Sequence, residues 1–287
     1  MASMRDIKRR KGSIQSTQQI TKAMKLVSTV KLQRAKANAE QSKAYFDCMY
    51  KTVQNIISQA GNLDHRFLRA GKTDKKAVIV ITSNRGLAGG YNSNVVKLIT
   101  KGEFSKEDLE IYAIGKKGKD SLAREGYQIV EDDSEMIEEP AYCTAMQLSK
   151  KLLDSYADGK IGEIYLAYTR FKNTVVHEPI LMKLLPVEVD SMEPVEEAKT
   201  GKALMGFEPE GDEALDLIIP KYVTSLIYGA LIEAVASENG ARMQAMDSAT
   251  NNAEEMIDDL TLKFNRARQG SITQELTEII AGAEAIS

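Results

Sequence analysis

The first sixty residues constrain this chain more than any other part of it. No proline occurs between Met4 and Gly61, and the one glycine before that end is Gly12, in a run rich in the good helix formers Gln, Lys, Ala and Met. The pattern predicts a single uninterrupted helix, which at about 1.5 Å per residue is roughly 85 Å long. The core of a 287-residue protein does not cover a helix of that length. The helix therefore needs a partner along its length.

The C-terminal segment has the same character. Between Leu215 and Ala285 the one proline is Pro220, and apolar or small residues recur at alternating separations of four and three, at Ala253, Ile257, Leu260, Phe264, Ala267 and Ser271. This spacing is typical of a coiled-coil seam. A related stripe precedes it, at Leu215, Tyr222, Leu226, Gly229 and Ala236. Because both terminal segments are attached to one central domain, an antiparallel coiled coil of the two buries both seams.

The central part shows the strand period instead. Three short β-rich runs, KAVIVIT at 76–82, LEIYAIG at 109–115 and YQIVE at 127–131, alternate with predicted helices at 92–101 and 116–125. This alternation predicts an α/β fold with a mainly parallel, Rossmann-like sheet. A further helix at 141–156 leads to strands at 163–171 and 179–187, whose short connection predicts an antiparallel hairpin.

The sequence therefore predicts four parts. They are an N-terminal coiled-coil helix at 1–61, an α/β domain at 76–187, an acidic linker with prolines and glycines at 188–214, and a C-terminal coiled-coil helix at 215–287.

Charge is unevenly distributed, although the net charge is only -3. Residues 1–36 carry ten basic side chains against the single acid Asp6, so this end is expected to seek a negative surface. Nucleic acid is disfavoured as that surface, because no aromatic residue precedes Tyr45 and no known nucleic-acid motif is present. The basic start is also disfavoured as a transit peptide, since its helical pattern continues without a break.

Two further features bear on compartment. The longest apolar run, Ala77 to Ile81, is far short of the roughly 20 residues that a membrane-spanning helix needs, so no direct membrane span is predicted. Cys48 and Cys143 lie far apart and match no metal-ligand spacing, which predicts a reduced cytoplasmic chain.

The most suggestive motif for chemistry is SNRGLAGGYNSN at 83–94, which follows a predicted strand and precedes a predicted helix. Glycines in such a loop can wrap a phosphate, but Gly86, Gly89 and Gly90 match neither dinucleotide-binding nor P-loop spacing. A structural turn or a subunit-contact loop is favoured over nucleotide binding. The glycine- and lysine-rich stretch at 115–119 is similarly interpreted as a basic helix start.

The remaining candidates are the two histidines and one acidic run. His65 and His177 are predicted to lie in loops as surface or packing residues, because no triad spacing surrounds them. The run from Glu131 to Glu139 is interpreted as a solvated acidic loop rather than a metal site. No catalytic residue, cofactor site or metal site is predicted.

Both ends resemble one known family. The N-terminal IKRRKGSIQSTQQITKAMKLVSTVKLQRA, the segment SNRGLAGGYN and nearly fifty residues from SENGARMQAMDSATNNAEEMIDDL onward are similar to F-type ATP synthase gamma subunits of bacteria. The resemblance covers the whole chain in the same order of parts. One departure is Asn239-Gly240, where the family more often has His or Gln followed by Ala.

The resemblance implies a non-catalytic rotor subunit of an ion-transporting, H⁺-linked two-sector ATP synthase. Its paired helices would stand in a ring of alpha and beta subunits. Its α/β domain would contact the epsilon subunit and the membrane c-ring, and the chain would be peripheral on the cytoplasmic side of the cell membrane. Rotation would couple ion flow through the c-ring to ATP synthesis or hydrolysis and would regulate both. The identity of the coupling ion is determined by other subunits.

The resemblance also implies four contact residues. Arg268 and Gln269 would touch the catch loops of the beta subunits, and Met24 and Arg242 would lie where the rotor meets moving beta-subunit lobes. Two alternatives belong to other classes of protein. They are a free-standing nucleotide- or phosphate-binding enzyme with helical arms, and a homodimeric coiled-coil scaffold.

Overall fold

The computed structural model describes residues 4–60, 65–69, 71, 73–102, 104–187 and 212–284. The chain divides into two compact units, one made of Met1–Thr29 with Arg242–Ser287 and the other of Val30–Ala241. Helix α1 (Met4–Ala60) and helix α5 (Asp212–Glu284) each contribute to both units. We describe each unit by itself.

The larger unit is built on a five-stranded sheet. Its elements in chain order are β1 (Lys76–Ile81), α2 (Tyr91–Thr100), β2 (Leu109–Ile114), α3 (Lys116–Arg124), β3 (Gln128–Asp132), α4 (Tyr142–Ala157), β4 (Glu163–Phe171) and β5 (His177–Leu185). The strand order is β3-β2-β1-β4-β5. Strand β1 is parallel to β2 and β4, β3 is parallel to β2, and β5 is antiparallel to β4. The predicted mainly parallel sheet with a terminal hairpin is confirmed.

Helices cover both faces of this sheet. Successive side chains of a strand point to opposite sides, so each strand contributes side chains to the packing on both faces. Val78 and Val80 of β1 belong to a core cluster with Val95 of α2. Ile79 and Ile81 belong to a second cluster with residues of α4 and α5. The uninterrupted apolar run of β1 is therefore the mark of a strand buried on both sides.

Within this unit α5 is a core helix. Leu215, Ile219, Val223, Ile227 and Leu231 are fully buried in the cluster that includes the sheet. The stripe predicted here covers only part of the buried surface. The helix begins at Asp212, so residues 212–214, predicted as linker, are helical, and the rest of that linker lies outside the described residues.

The same helix also passes a length and composition test for a membrane span. A window within Glu213–Ala283 has a mean hydropathy of 1.4, and 56% of that window is buried inside the protein. A mostly buried core helix of a soluble protein passes the same test. The sequence expectation missed this segment because it considered only uninterrupted apolar runs.

The smaller unit contains the start of α1 and the second part of α5. Thr21 contacts Thr250, and Lys25 contacts Asp247, so the partner number falls as the α1 number rises. The two helices are therefore antiparallel, and the predicted coiled coil is confirmed.

Candidate functional site on the paired helices

The seam of the helix pair follows a heptad spacing on both helices. On α5, Ala253 and Leu260 are buried, and the other four predicted seam positions are half-buried among mostly exposed neighbours. On α1 the less exposed positions also recur at separations of three and four, at Met4, Ile7, Lys11, Ile14, Gln18, Thr21, Lys25 and Ser28. Knobs-into-holes packing requires this spacing on both partners.

Polar groups make the central contacts of the seam. The hydroxyl of Thr250 lies 2.8 Å from that of Thr21. Each hydroxyl also lies near a carbonyl of its own helix, Gln18 O at 3.0 Å and Met246 O at 2.7 Å. One hydroxyl thus donates across the seam while the other donates within its helix, and neither proton is left unpaired.

Large apolar side chains of α1 lie on the outside instead. Ile20, Leu26 and Val27 are 59%, 68% and 57% exposed. Between Gln18 and Ser28 the usual arrangement is therefore reversed on α1, since polar residues occupy its seam positions while apolar residues face outward. Nearer the start of α1 the seam positions include the apolar residues Ile7 and Ile14. Exposed apolar surface of this kind marks a site of contact with another protein.

The antiparallel register locates the predicted contact residues on α5. Continuing it from Thr21 and Thr250 places Met4 opposite a position near residue 267. After Ser271 every residue of α5 up to 283 is exposed. Arg268 and Gln269, both exposed, thus lie at the level where Met4 ends the described part of α1.

Beyond this level α5 carries an apolar stripe. Ile272, Leu276, Ile279 and Ile280 are each about half exposed or more, at 49%, 54%, 68% and 58%. Their spacing puts them on one helix face. No described residue covers this face, and exposed apolar stripes are typical of surfaces that contact another protein.

The other two predicted contact residues differ in accessibility. Met24 is half-buried beside the seam residue Lys25. Arg242 is only 9% exposed, so it presents little surface to another subunit.

The glycine-rich loop after β1 is held by its own side chains. Asn92 accepts hydrogen bonds from the backbone nitrogen of Ser83 at 2.9 Å and from its hydroxyl at 3.0 Å. The side chain of Asn84 accepts from Lys116 N at 3.0 Å and donates to Ser134 O at 2.7 Å. These bonds join the loop to its neighbours, as a strand-to-helix turn requires. At its tip Leu87 is 62% exposed with φ of 63°, a strained conformation for leucine.

Packing explains the glycines at 115–119. A Cβ on Gly115 would lie 2.1 Å from the carbonyl oxygen of Thr82, and one on Gly118 would lie 2.6 Å from the Thr82 hydroxyl. These glycines therefore allow α3 to approach the end of β1 closely.

The two histidines compare differently with the sequence expectation. His65 lies outside any helix or strand and is a packing residue, as expected: it is 4% exposed, and its Nε2 lies 3.0 Å from Asp216 Oδ1. Phe67 N donates to its Nδ1 at 3.3 Å. His177 does not lie in a loop, because it is the first residue of β5. The expectation was wrong because the start of β5 has no strong β-forming residues to mark it.

The acidic run from Glu131 to Glu139, predicted as a loop, begins inside β3, and two of its six acids pair with neighbouring lysines. Asp132 lies 2.7 Å from Lys119 Nζ, and Glu131 lies 2.6 Å from Lys151 Nζ. Hydrogen bonds from Lys119 and Ser134 lower the pKa of Asp132. Among the described residues no group of three or more His, Cys, Asp or Glu is arranged to hold a metal ion.

Comparison with known proteins decides the family. The family model described as ATP synthase matches residues 3–286. The ATP synthase gamma chain of Lachnoclostridium phytofermentans is 64% identical and is aligned over 100% of both chains. The chain belongs to the ATP synthase gamma chain family. The sodium ion specific gamma chain of Acetobacterium woodii is 39% identical over 99% of each chain.

The fold agrees with this membership. A chain in a cryo-EM structure of the Euglena gracilis mitochondrial ATP synthase, containing OSCP, F1 and c-ring in rotational state 3, superposes with a TM-score of 0.71. It is 19% identical, and the match covers 99% of this chain and 94% of that chain. As a member of the gamma family, this chain is a central-stalk subunit of an F-type ATP synthase, as the resemblance implied.

Proposed function

We propose that this gamma chain is the rotor shaft of its ATP synthase. Its paired helices stand inside a ring of alpha and beta subunits, and its sheet unit contacts the epsilon subunit and the membrane c-ring. Rotation then couples ion passage through the c-ring to ATP synthesis or hydrolysis on the beta subunits. The chain itself performs no chemistry and lies on the cytoplasmic side of the cell membrane as a peripheral subunit.

The single observation that carries this proposal is the outward-facing apolar surface of the smaller unit. Ile20, Leu26 and Val27 expose apolar area on a stretch of α1 whose contacts across the seam are polar. A shaft turning inside a protein ring needs a surface that makes few directional bonds, because each strong bond would hold it at one angle. Apolar contacts are non-directional and meet this need.

Residues at the end of the helix pair supply the directional contacts. Arg268 and Gln269 are exposed at the level of Met4, where they are accessible to beta-subunit loops. A guanidinium paired with a carboxylate forms a strong charge-assisted hydrogen bond. Because one shaft presents one Arg268 to three beta subunits, the contact favours a different state at one of them, and rotation transfers that bias. Met24 contacts a beta-subunit lobe directly, and the buried Arg242 positions the helix beneath such a lobe.

Reconstitution tests the shaft function. Alpha and beta subunits mixed with the full chain are expected to form a complex with rapid ATP hydrolysis, whereas a chain ending at Arg266 is expected to give a slow or uncoupled complex. Normal coupling by the truncated chain would contradict the proposal. So would failure of the full chain to form any complex.

A point substitution tests the contact residue. Arg268→Ala is expected to lower ATP hydrolysis about 3- to 10-fold, the effect of losing one charged contact. Lys150→Ala is the matched control, because Lys150 is an exposed cation on α4 in the other unit and should leave hydrolysis unchanged. Equal effects of the two substitutions would remove the special role of Arg268.

We also propose H⁺ as the coupling ion. The relative from Acetobacterium woodii is named as sodium ion specific, so Na⁺ is the alternative coupling ion to test. ATP synthesis by host membranes driven by a pH gradient is expected to proceed in sodium-free buffer. A requirement for added Na⁺ would overturn the assignment of H⁺ and leave the shaft function intact.

A further inference from the structure

Helix α5 has a glycine notch that faces the β4–β5 hairpin. A Cβ on Gly240 would lie 2.7 Å from Cε1 and 3.1 Å from Nε2 of His177. His177 pairs with Phe171 across the hairpin, and the two rings lie 5.9 Å apart. The imidazole is thus held between Phe171 and the backbone of α5. Glycine is a weaker helix former than alanine, so Gly240 weakens the helix locally. Its presence is explained by the His177 ring, which packs where the Cβ of any other residue would lie.

The ring in this notch has no side chain as a hydrogen-bond partner. Nδ1 and Nε2 of His177 are both buried, and the backbone of Thr174 provides the ring's one weak polar contact among the described residues. A neutral imidazole has one N–H donor, whereas a protonated one has two donors and a charge. Burying the charged form without partners is costly. Burial accordingly lowers the pKa of His177, against a smaller opposing effect from the backbone of Thr174.

The charged groups on the surrounding elements do not compensate. Lys36 of α1 lies over the Phe171 ring at 5.1 Å. On the hairpin, Glu178 is paired with Lys172 at 2.7 Å, and Arg170 precedes Phe171. On α5, Glu233 is buried, and burial raises the pKa of its carboxyl, while Glu238 lies next to Asn239. None of these groups bonds to the imidazole, so a proton on the ring finds no anion to stabilise it.

One further hydrogen bond ties the same helix face to the hairpin. Ser237, one turn before Gly240, donates from its hydroxyl to Thr169 O at 3.0 Å. Gly240 is the last residue but one of α5 in the larger unit. The ring therefore secures the final turn of α5 within this unit.

We propose that His177 and Gly240 form a proton-sensitive latch, in which the neutral imidazole holds the β4–β5 hairpin on α5 and protonation of the ring releases it. Acidification then loosens the start of β5 and the final turn of α5 in the larger unit, while the rest of the sheet stays folded. This goes beyond the rotor function, which requires no response to pH in this subunit.

Hydrogen exchange of the full chain, followed by mass spectrometry from pH 7.5 to pH 5.5 and corrected for intrinsic exchange rates, tests the latch. At pH 5.5 a free imidazole with an ordinary pKa near 6.5 is protonated about ten to one, so protection of 235–241 and 177–180 is expected to fall up to tenfold. Protection of β1 and β2 is expected to stay unchanged, which serves as the internal reference for folding.

Variants assign the effect to this ring. His177→Phe keeps an aromatic ring that cannot be protonated, and His177→Asn provides a smaller side chain in case Phe does not fit the notch. Both are expected to lose the pH dependence. Gly240→Ala displaces the ring, so low protection is expected at every pH. His65→Gln is the matched control, because His65 is the other histidine of the chain, and the pH dependence should persist. Unchanged protection in the native chain at pH 5.5, or a pH dependence retained by both His177 variants, would overturn the latch.

Discussion

The carboxylate of Glu163 on β4 lies 2.8 Å from Nζ of Lys76 on β1. Lys183 of β5 approaches the other oxygen at 2.9 Å, and the Tyr165 hydroxyl donates at 3.0 Å. Burial by itself raises the pKa of Glu163, but hydrogen bonds from these three partners outweigh it and lower the pKa to about 2. One carboxylate thus joins three strands of the sheet.

This cluster gives the fold an acid-sensitive component. The folded-state pKa of about 2 lies below the ordinary 4.5, so the ionised group stabilises the fold above pH 4.5 and loses this effect as pH falls from 4.5 toward 2. After allowance for solvent screening, we expect a loss of about 1 to 2 kcal/mol in unfolding free energy over that window. Urea unfolding of the native chain and of Glu163→Gln at several pH values checks this, because the variant should lose the dependence.

Glu178→Gln is the control for that experiment. Glu178 also pairs with a lysine, Lys172 at 2.7 Å, but on the exposed hairpin. The Glu178→Gln substitution should leave the loss of unfolding free energy at low pH nearly unchanged. If both variants flatten the curve equally, the Glu163 cluster has no special role.

A double-mutant cycle tests the hydroxyl pair in the helix seam. Thr21→Val and Thr250→Val each remove one side of a 2.8 Å contact. We expect a coupling of about 1 kcal/mol in the unfolding free energy, the usual net value of a hydrogen bond. Thr17→Val is the reference, since the Thr17 hydroxyl donates within its own helix to Ser13 O, 3.1 Å away, and should show no coupling to Thr250→Val.

The ion pair between Lys25 and Asp247 allows a charge exchange. Its atoms are 2.6 Å apart, with side chains 40% and 48% exposed, so solvent screens the pair. Lys25→Asp should lower stability by about 0.5 kcal/mol at low salt, and adding Asp247→Lys should restore it. Repeating the measurement in high salt should remove the difference. Additive losses in the double variant would show that the pair does not couple the two helices.

Two helical glycines should respond to alanine in opposite directions. A Cβ on Gly118 would lie 2.6 Å from the Thr82 hydroxyl, whereas one on Gly12 meets nothing within 4 Å. Gly118→Ala is therefore expected to destabilise the chain by about 1 to 3 kcal/mol through overpacking. Gly12→Ala should stabilise α1 by about 0.5 to 1 kcal/mol. Thermal unfolding of both variants checks the signs, and a stabilised Gly118→Ala would show that Thr82 moves aside without cost.

The sequence predicted the parts of the fold that depend on local spacing. The seam at Ala253, Leu260 and their neighbours follows from separations of three and four, and the sheet follows from short β-rich runs between helices. The α1 side of the seam is harder to predict, because hydrophobicity alone would assign Ile20, Leu26 and Val27 to the buried face. These side chains are exposed, and the polar residues Thr21 and Lys25 make contacts across the seam instead.

Long-range packing also escaped the sequence. The contact of His177 with Gly240 joins a strand to a distant helix, and no local pattern marks it. The departure of Asn239-Gly240 from the family pattern was the one available signal. The structure shows that this glycine has the ring of His177 packed against it.

The hydroxyl pair in the seam has a consequence for the angular placement of Arg268, the proposed contact residue. Since Thr250 is tied to Thr21, the helix from Thr250 to Arg268 acts as a fixed spacer. Inserting one residue into it would turn Arg268 by about 100° around the axis and move it about 1.5 Å along it. The direction in which the Arg268 side chain projects from the helix pair therefore depends on the number of residues between Thr250 and Arg268.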